Sequence, residues 1–223
     1  MLSETIDFLF PKFCLGCNVI ISKHQNLLCE PCKHSLPCTH WNFDSDNYIY
    51  SKLKPYINLY KATSLLRFHN KNETQNLLHQ LKYGGQQNLG VLFAEMLAPT
   101  FISENNLPDS IVPIPIHPKK LKIRGYNQLD VFGNSLAKIL NISFNSDVLK
   151  RSIHQESQTL KSRKERLIRI KNSFKLNNTD KTSKHILLID DVCTTGATLI
   201  YCANLLLKIP DIKVSVATIS TVY

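Results

Sequence analysis

Two adjacent carboxylates, Asp190 and Asp191, are followed within seven residues by Thr194, Thr195, Gly196 and Thr198. Carboxylate oxygens are acceptors suited to a sugar diol or to the waters of a bound Mg2+. Threonine hydroxyls can donate to an anion, and glycine lets a backbone approach closely. Where such a turn opens a helix, the first backbone N–H groups and the helix dipole favour an anion as well. Acceptors for a diol beside a cradle for one phosphate monoester describe a ribose 5-phosphate.

The elements that must hold these groups can be read around them. Ile186-Leu187-Leu188-Ile189 is apolar without alternation, as a parallel strand covered on both faces reads. A helical period runs from Ala197 through Leu199, Cys202, Ala203 and Leu206 until Pro210, and Val214 to Ile219 is a second β-rich run. The unit is βαβ, with a right-handed crossover expected. ATPases and response regulators also carry strands that end in acids. An ATPase needs a Gly-x-x-x-x-Gly-Lys-Ser/Thr loop, which this chain lacks, and a receiver domain carries its acid pair near its start, whereas this pair sits in the last sixth.

The thirteen residues from Ile186 to Thr198 resemble the phosphoribosyl-pyrophosphate (PRPP) signature of type I phosphoribosyltransferases. The resemblance implies an α/β fold of that type, a parallel sheet flanked by helices, over residues 71–223. It also implies that Asp190 and Asp191 bind the ribose hydroxyls, and that PRPP contacts continue through Val192, Cys193, Thr194, Thr195, Gly196, Ala197 and Thr198. Of these, Thr194 to Thr198 would hold the 5-phosphate, and Cys193 reads as a small neutral filler.

A second constellation lies near the amino end. Cys14-Leu-Gly-Cys17 and Cys29-Glu-Pro-Cys32 are Cys-x2-Cys knuckles with eleven residues between them. Two knuckles close a tetrahedral Zn2+ shell with no open position, so the expected role is structural. Reduced, metal-free thiols or a redox pair are the alternatives. Residues 1–40 are read as this zinc-binding module, with Cys38 and His40 nearby but assigned to a surface turn.

The chain has 223 residues, enough for one α/β domain and a small module. Its net charge of +10 suits a polyanionic ligand, PRPP or nucleic acid. No run reaches the roughly 18 apolar residues of a membrane span, and the opening Met-Leu-Ser-Glu-Thr-Ile lacks a basic leader. A soluble, cytoplasmic protein without membrane insertion is expected, consistent with cysteines in metal-site spacing.

Residues 41–70 read as a connecting, β-like segment with Tyr48, Tyr50, Tyr56 and Tyr60, in which Lys61 to Phe68 is an edge or entry strand. Asn70 is placed to cap a helix carrying Leu77, Leu78 and Leu81 that stops at Lys82-Tyr83-Gly84-Gly85. The next helix aligns Leu89, Leu92, Phe93, Met96 and Leu97 and ends before Pro99. Ile111 to Ile116 is strand-like, although Pro113 and Pro115 would demote it to an edge. It leads into a basic loop, Lys119-Lys120-Leu121-Lys122-Ile123-Arg124-Gly125, whose cations suit a pyrophosphate. A helix follows with Leu129, Phe132, Leu136, Ile139 and Leu140 on its buried side.

Val112-Pro-Ile-Pro115, Arg124-Gly-Tyr-Asn-Gln128 and Leu81-Lys-Tyr-Gly-Gly85, together with the four cysteines, are similar to the ComF family of competence-associated phosphoribosyltransferases. The resemblance spans nearly the whole chain from Cys14. It implies that Arg124 and Gly125 lie near the pyrophosphate, with Lys82 by the same cleft. Type I enzymes close a basic loop over PRPP at the chain position of Arg151 to Arg166, so Arg151, Gln158, Lys161, Arg163 and Arg166 are the lid candidates. The implied reaction is transfer of a 5-phosphoribosyl group to an unidentified acceptor, with Mg2+, Arg124, Lys161 and Arg163 offsetting charge on the leaving pyrophosphate. The alternative reading is a non-catalytic module of this fold that binds single-stranded DNA or a DNA-uptake helicase partner.

Overall fold

A computed structural model describes residues 11–22, 27–68, 73–102, 107–151, 173–177 and 183–223. Its elements, in chain order, begin with a hairpin of β1 (Lys12–Phe13) and β2 (Ile20–Ile21), followed by α1 (Glu30–His34). Next come α2 (Tyr48–Leu53), a 3-10 turn (Lys54–Tyr56), β3 (Ala62–Phe68), α3 (Glu73–Tyr83), α4 (Leu89–Leu97) and α5 (Pro99–Ile102). The central portion holds β4 (Ser110–Pro113), α6 (Pro118–Arg124), α7 (Gln128–Leu140), β5 (Ser143–Phe144) and β6 (Leu149–Arg151). The remainder is β7 (Phe174–Leu176), β8 (His185–Cys193), α8 (Ala197–Leu206) and β9 (Lys213–Val222).

Five strands form one all-parallel sheet in the order β3-β9-β8-β4-β5. The expected α/β architecture is therefore present, and the apolar run from Ile186 to Ile189 is its fully buried middle strand. Helix α7 packs on β4, β5 and β8, while α8 packs on β8 and β9. Gly133 explains how closely α7 approaches: a Cβ there would lie 2.3 Å from Phe144 Cε2 and 2.8 Å from Ile189 Cδ1. Leu129, Phe132, Leu136 and Leu140 are buried as expected, but Ile139 is 43% exposed. Gly133 and Ala137 fill the buried stripe in its place, because the i, i+4, i+8 ladder from Leu129 passes through them.

Two expectations are corrected. Residues 48–53 are not β-like: they form α2, whose start is fixed by Asn47 Oδ1 accepting from the Tyr50 N–H at 3.0 Å. The apolar spacing Ile49, Tyr50, Leu53 then buries one face of the helix. The second correction concerns Pro113, which lies on an interior strand. Ile111 accepts from the Asn145 N–H on the β5 side, whereas the Ile114 N–H donates to Ile189 on the β8 side. Pro113 therefore turns its missing N–H towards β5, whose pairing stops at Ile111, and no ladder bond is lost. The segment from Lys61 to Phe68 does supply an edge strand, β3.

At the amino ends of the strands, His185 is buried with Nε2 2.8 Å from Ser215 Oγ, beside the rings of Phe43 and Tyr60. Burial holds its pKa below the ordinary histidine value, against a hydrogen bond to Leu107 that raises it. Below about pH 6.5 the unfolded chain takes a proton that folded His185 refuses. Stability from this group is therefore present above that pH and is lost as pH falls towards the folded pKa. Urea midpoints between pH 8 and pH 5 are expected to decline below about pH 6.5, and His185→Gln should flatten that part of the profile.

Candidate functional site

At the carboxyl ends of the strands, β8 continues past its apolar middle into Asp190 and Asp191. Successive strand positions face alternate sides of a sheet, and both acids reach the lining of one cleft of about 270 Å3. Its position is fixed from below by hydroxyls on β9: Ser220 Oγ donates to the Asp191 carbonyl and Thr221 Oγ1 to the Cys193 carbonyl. Lys82, Lys120, Arg124 and Arg151 also line the cleft, together with His117, Val192 and Thr198. It is a basic pocket with two acids at its floor.

The two acids have different surroundings. Asp190 Oδ1 accepts from the Asp191 N–H at 2.8 Å. Burial, and then the neighbouring Asp191 carboxylate, push Asp190 well above the usual carboxylate range. Asp191 Oδ2 receives the Lys82 ammonium at 2.8 Å and the Gln128 Nε2 at 2.9 Å. Arg124 Nη1 in turn donates to Gln128 Oε1 at 2.7 Å, and its guanidinium stands 4.6 Å from the centre of the Tyr83 ring. Hydrogen bonding and charge from Arg124 hold the Tyr83 phenol below its usual range.

Two helix ends bring these cations in. Lys82 closes α3, where Gly84 and Gly85 follow, and Arg124 closes α6, where Gly125 takes φ 78° as the left-handed cap. The stretch read as a basic loop is thus largely helix. His117 Nδ1 accepts from the Lys119 N–H, Pro118 occupies the first helical position, and Gly125 ends the helix. Those cap signals were present in the sequence and would have identified it.

The threonine turn has a different surrounding from the one its residue types suggested. Thr194 and Thr195 are exposed, and Thr195 Oγ1 accepts from the Ala197 N–H. Gly196 caps α8 with φ 76° but is buried, and a Cβ there would lie 2.5 Å from Leu53 Cδ2. Its close approach is thus to helix α2. Cys193 is buried, and burial pushes its thiol up to about 11, which keeps it neutral.

Asp190, Asp191, Val192, Arg124 and Thr198 meet in one cleft, as does Lys82. Gly125 adjoins them through Arg124, whereas Cys193, Thr194, Thr195, Gly196 and Ala197 belong to the turn beside the cleft. Lys161 and Arg163, with Gln158 and Arg166, lie outside the described residues. Lys120, from the basic stretch whose cations suit a pyrophosphate, lines the cleft as well; Tyr83 and His117 are additions, and Tyr83 sits in the same Leu-Lys-Tyr segment that supplied Lys82.

The amino-terminal module holds the second candidate site. The sulfur atoms of Cys14, Cys17, Cys29 and Cys32 all lie within 4.8 Å of one another, near enough to ligate one ion. Cys14 Sγ accepts from the Gly16 and Cys29 N–H groups at 3.4 and 3.3 Å. Burial pushes Cys14 up, but backbone N–H groups of Cys29, Cys17 and Gly16 outweigh it and bring the thiol down to about 6. Cys32 is pushed the other way by burial and by its three sulfur neighbours. Four thiols so crowded ionise together only when a cation takes their charge. Gly16 must be small, since a Cβ would lie 2.9 Å from Cys32 Sγ. Cys38 is outside the cluster, in an isolated bridge with Leu66.

Among the described residues, the four cysteines are the group of His, Cys, Asp and Glu side chains that could share one ion. The acid pair offers Mg2+ an incomplete donor set, which a ligand's own phosphate oxygens would have to complete. No helix among the described residues is long and apolar enough to cross a membrane.

The phosphoribosyl transferase domain family matches residues 131–222. DNA utilization protein YhgH of Escherichia coli (strain K12) is 31% identical over 137 residues, 59% of this chain and 60% of that protein. Competence protein F of Haemophilus influenzae is 35% identical over 105 residues, 46% of each chain. Competence protein ComFC of Bacillus subtilis is 31% identical over 134 residues, 59% of this chain and 52% of the relative. The similarity thus spans about 60% of the length of the first of these relatives. The fold is of the phosphoribosyltransferase type, with a four-cysteine module at its amino end.

Proposed function

We propose that this chain is a member of the ComF family, on its similarity to YhgH, competence protein F and ComFC, and that its cleft binds PRPP and transfers the 5-phosphoribosyl group to an acceptor. One observation carries the reading: an acid pair at the carboxyl end of the middle parallel strand opens into a cleft walled by Lys82, Lys120 and Arg124. Asp190 and Asp191 accept from the ribose hydroxyls, and the turn from Thr194 to Thr198 holds the 5-phosphate at the start of α8. The cations of α3 and α6 face the pyrophosphate. As the C1–oxygen bond breaks, pyrophosphate gathers negative charge and the sugar becomes cation-like. Preorganised cations lower that barrier, and the acceptor forms the new bond at C1. Asp190 and Asp191, with the ligand's own phosphate oxygens, would hold Mg2+, which would supply further charge neutralisation when bound. Lys161 and Arg163 are assigned to the closing loop by family resemblance. The four thiolates hold structural Zn2+, and the protein works in the cytoplasm.

Titration calorimetry with PRPP and Mg2+ on the full chain tests this, and saturable binding is expected. Its absence, alongside salt-sensitive single-stranded DNA binding, would favour a second reading, in which the fold serves as a nucleic-acid module. That alternative is supported by an aromatic cluster of Trp41, Tyr48 and Tyr223, with ring centres 4.6 to 6.0 Å apart. Lys52 stands over Tyr48 and Arg67 over Tyr223. Aromatic rings with flanking cations are how sequence-tolerant single-strand binders hold bases.

A further inference from the structure

We propose that Lys82 is a built-in counter-cation that keeps divalent metal out of the ligand-free cleft. Its ammonium lies 2.8 Å from Asp191 Oδ2, and Gln128 Nε2 shares that oxygen at 2.9 Å. The acid best placed to start a metal site therefore already has a cation and an amide donor on one oxygen. This is not the chance excursion of a surface lysine. The Lys82 and Asp191 side chains are only 23% and 12% exposed, and the residues on either side of Lys82 are separately pinned. Tyr126 Oη donates to the Leu81 carbonyl at 2.8 Å, and the Tyr83 ring is covered by Arg124 at 4.6 Å.

Three consecutive residues of α3 are thus tied to α6, to the segment after it and to β8. The end of α3 is also where the helix dipole favours a cation. A divalent ion approaching Asp191 must displace an ammonium from a partly desolvated carboxylate, where charge interactions are stronger than in water. It must also find further oxygen ligands, and among the described residues no third His, Cys, Asp or Glu joins the acid pair. Metal enters this cleft in company with an oxygen-rich ligand.

The inference concerns the cleft assigned above to PRPP, but its test uses no phosphoribosyl compound, so the two readings fail separately. Free Mn2+ is counted by electron paramagnetic resonance in titrations of the zinc-replete full chain. Wild type is expected to show no saturable site tighter than about 1 mM, the weak end of oxygen-ligated divalent sites. Lys82→Met is expected to bind Mn2+ at least ~10-fold more tightly than wild type. Lys82→Arg should behave as wild type, and Lys82→Met combined with Asp191→Asn should lose the gain. A wild-type site that Asp191→Asn removes would overturn the proposal, and that arm needs no Lys82 variant to fold. A gain in Lys82→Met that survives Asp191→Asn would overturn it too.

Discussion

Exchanging Asp190 and Asp191 together for asparagine is expected to weaken PRPP binding by ~100-fold or more, while affinity for inorganic pyrophosphate stays within about threefold or rises. A hydrogen bond to a charged acceptor contributes roughly 1.5–3 kcal/mol and one to a neutral acceptor about 0.5–1.5 kcal/mol, so one of each spans that loss. The two ligands share a pyrophosphate and differ in the ribose 5-phosphate, whose phosphate is assigned to the turn from Thr194 to Thr198 and whose hydroxyls are assigned to the two acids. Asparagine keeps an acceptor oxygen for Lys82 and Gln128, so the network around residue 191 has a partner to hold. It also removes negative charge from a cleft lined by Lys82, Lys120 and Arg124, which favours a free polyanion. Calorimetry with both ligands on one preparation decides the matter. Equal losses for PRPP and pyrophosphate would mean that the carboxylates only position the cations. No loss for either would remove the acids from the site.

Loss of the zinc proposed for the four cysteines has the second large effect. Chelation, or Cys14→Ser, is expected to lower zinc content from about one per chain to near zero and to melt the amino-terminal module, because metal binding there amounts to folding free energy. Among the described residues of the module the regular structure is one two-residue-per-strand hairpin and one five-residue helix, too little to bury a core of its own. Its attachment to the rest includes the Asn76 side chain, which donates to the Leu15 carbonyl at 3.4 Å. Limited proteolysis should therefore cut between residues 11 and 36 in the stripped protein and spare the parallel sheet. Metal analysis beside the digest makes the check, and a module that resists protease without metal would reject the structural role of zinc.

The features that could be read from the sequence are those decided over short distances. Apolar density from Ile186 to Ile189, the Cys-x2-Cys spacings and the glycine after Thr195 each depend on neighbours within one turn or strand. The pairing of Lys82 with Asp191 joins residues 109 positions apart, as their numbers show, and no local pattern encodes it. Pro113 misled because its demotion to an edge assumed a full neighbour on both sides, whereas β5 pairs with only two residues of β4. Gly196 was legible as a turn residue, but Leu53 as the neighbour that requires it comes from a helix whose aromatic residues favour strands. Helix α2 formed nonetheless because Asn47 caps it and Ile49 and Leu53 are both fully buried.

The strand order has a consequence for biosynthesis. Ser64 on β3 meets Thr218 on β9 across 154 residues of chain, and β3 pairs with no other strand of the main sheet. At translation rates of roughly 5–20 residues per second, an emerging β3 waits on the order of ten seconds for its partner to be made. Throughout that interval a strand rich in buried side chains presents an open backbone edge on the ribosome, the one not covered by the preceding residues Pro37 to Asp44, the condition under which nascent chains recruit chaperones or one another.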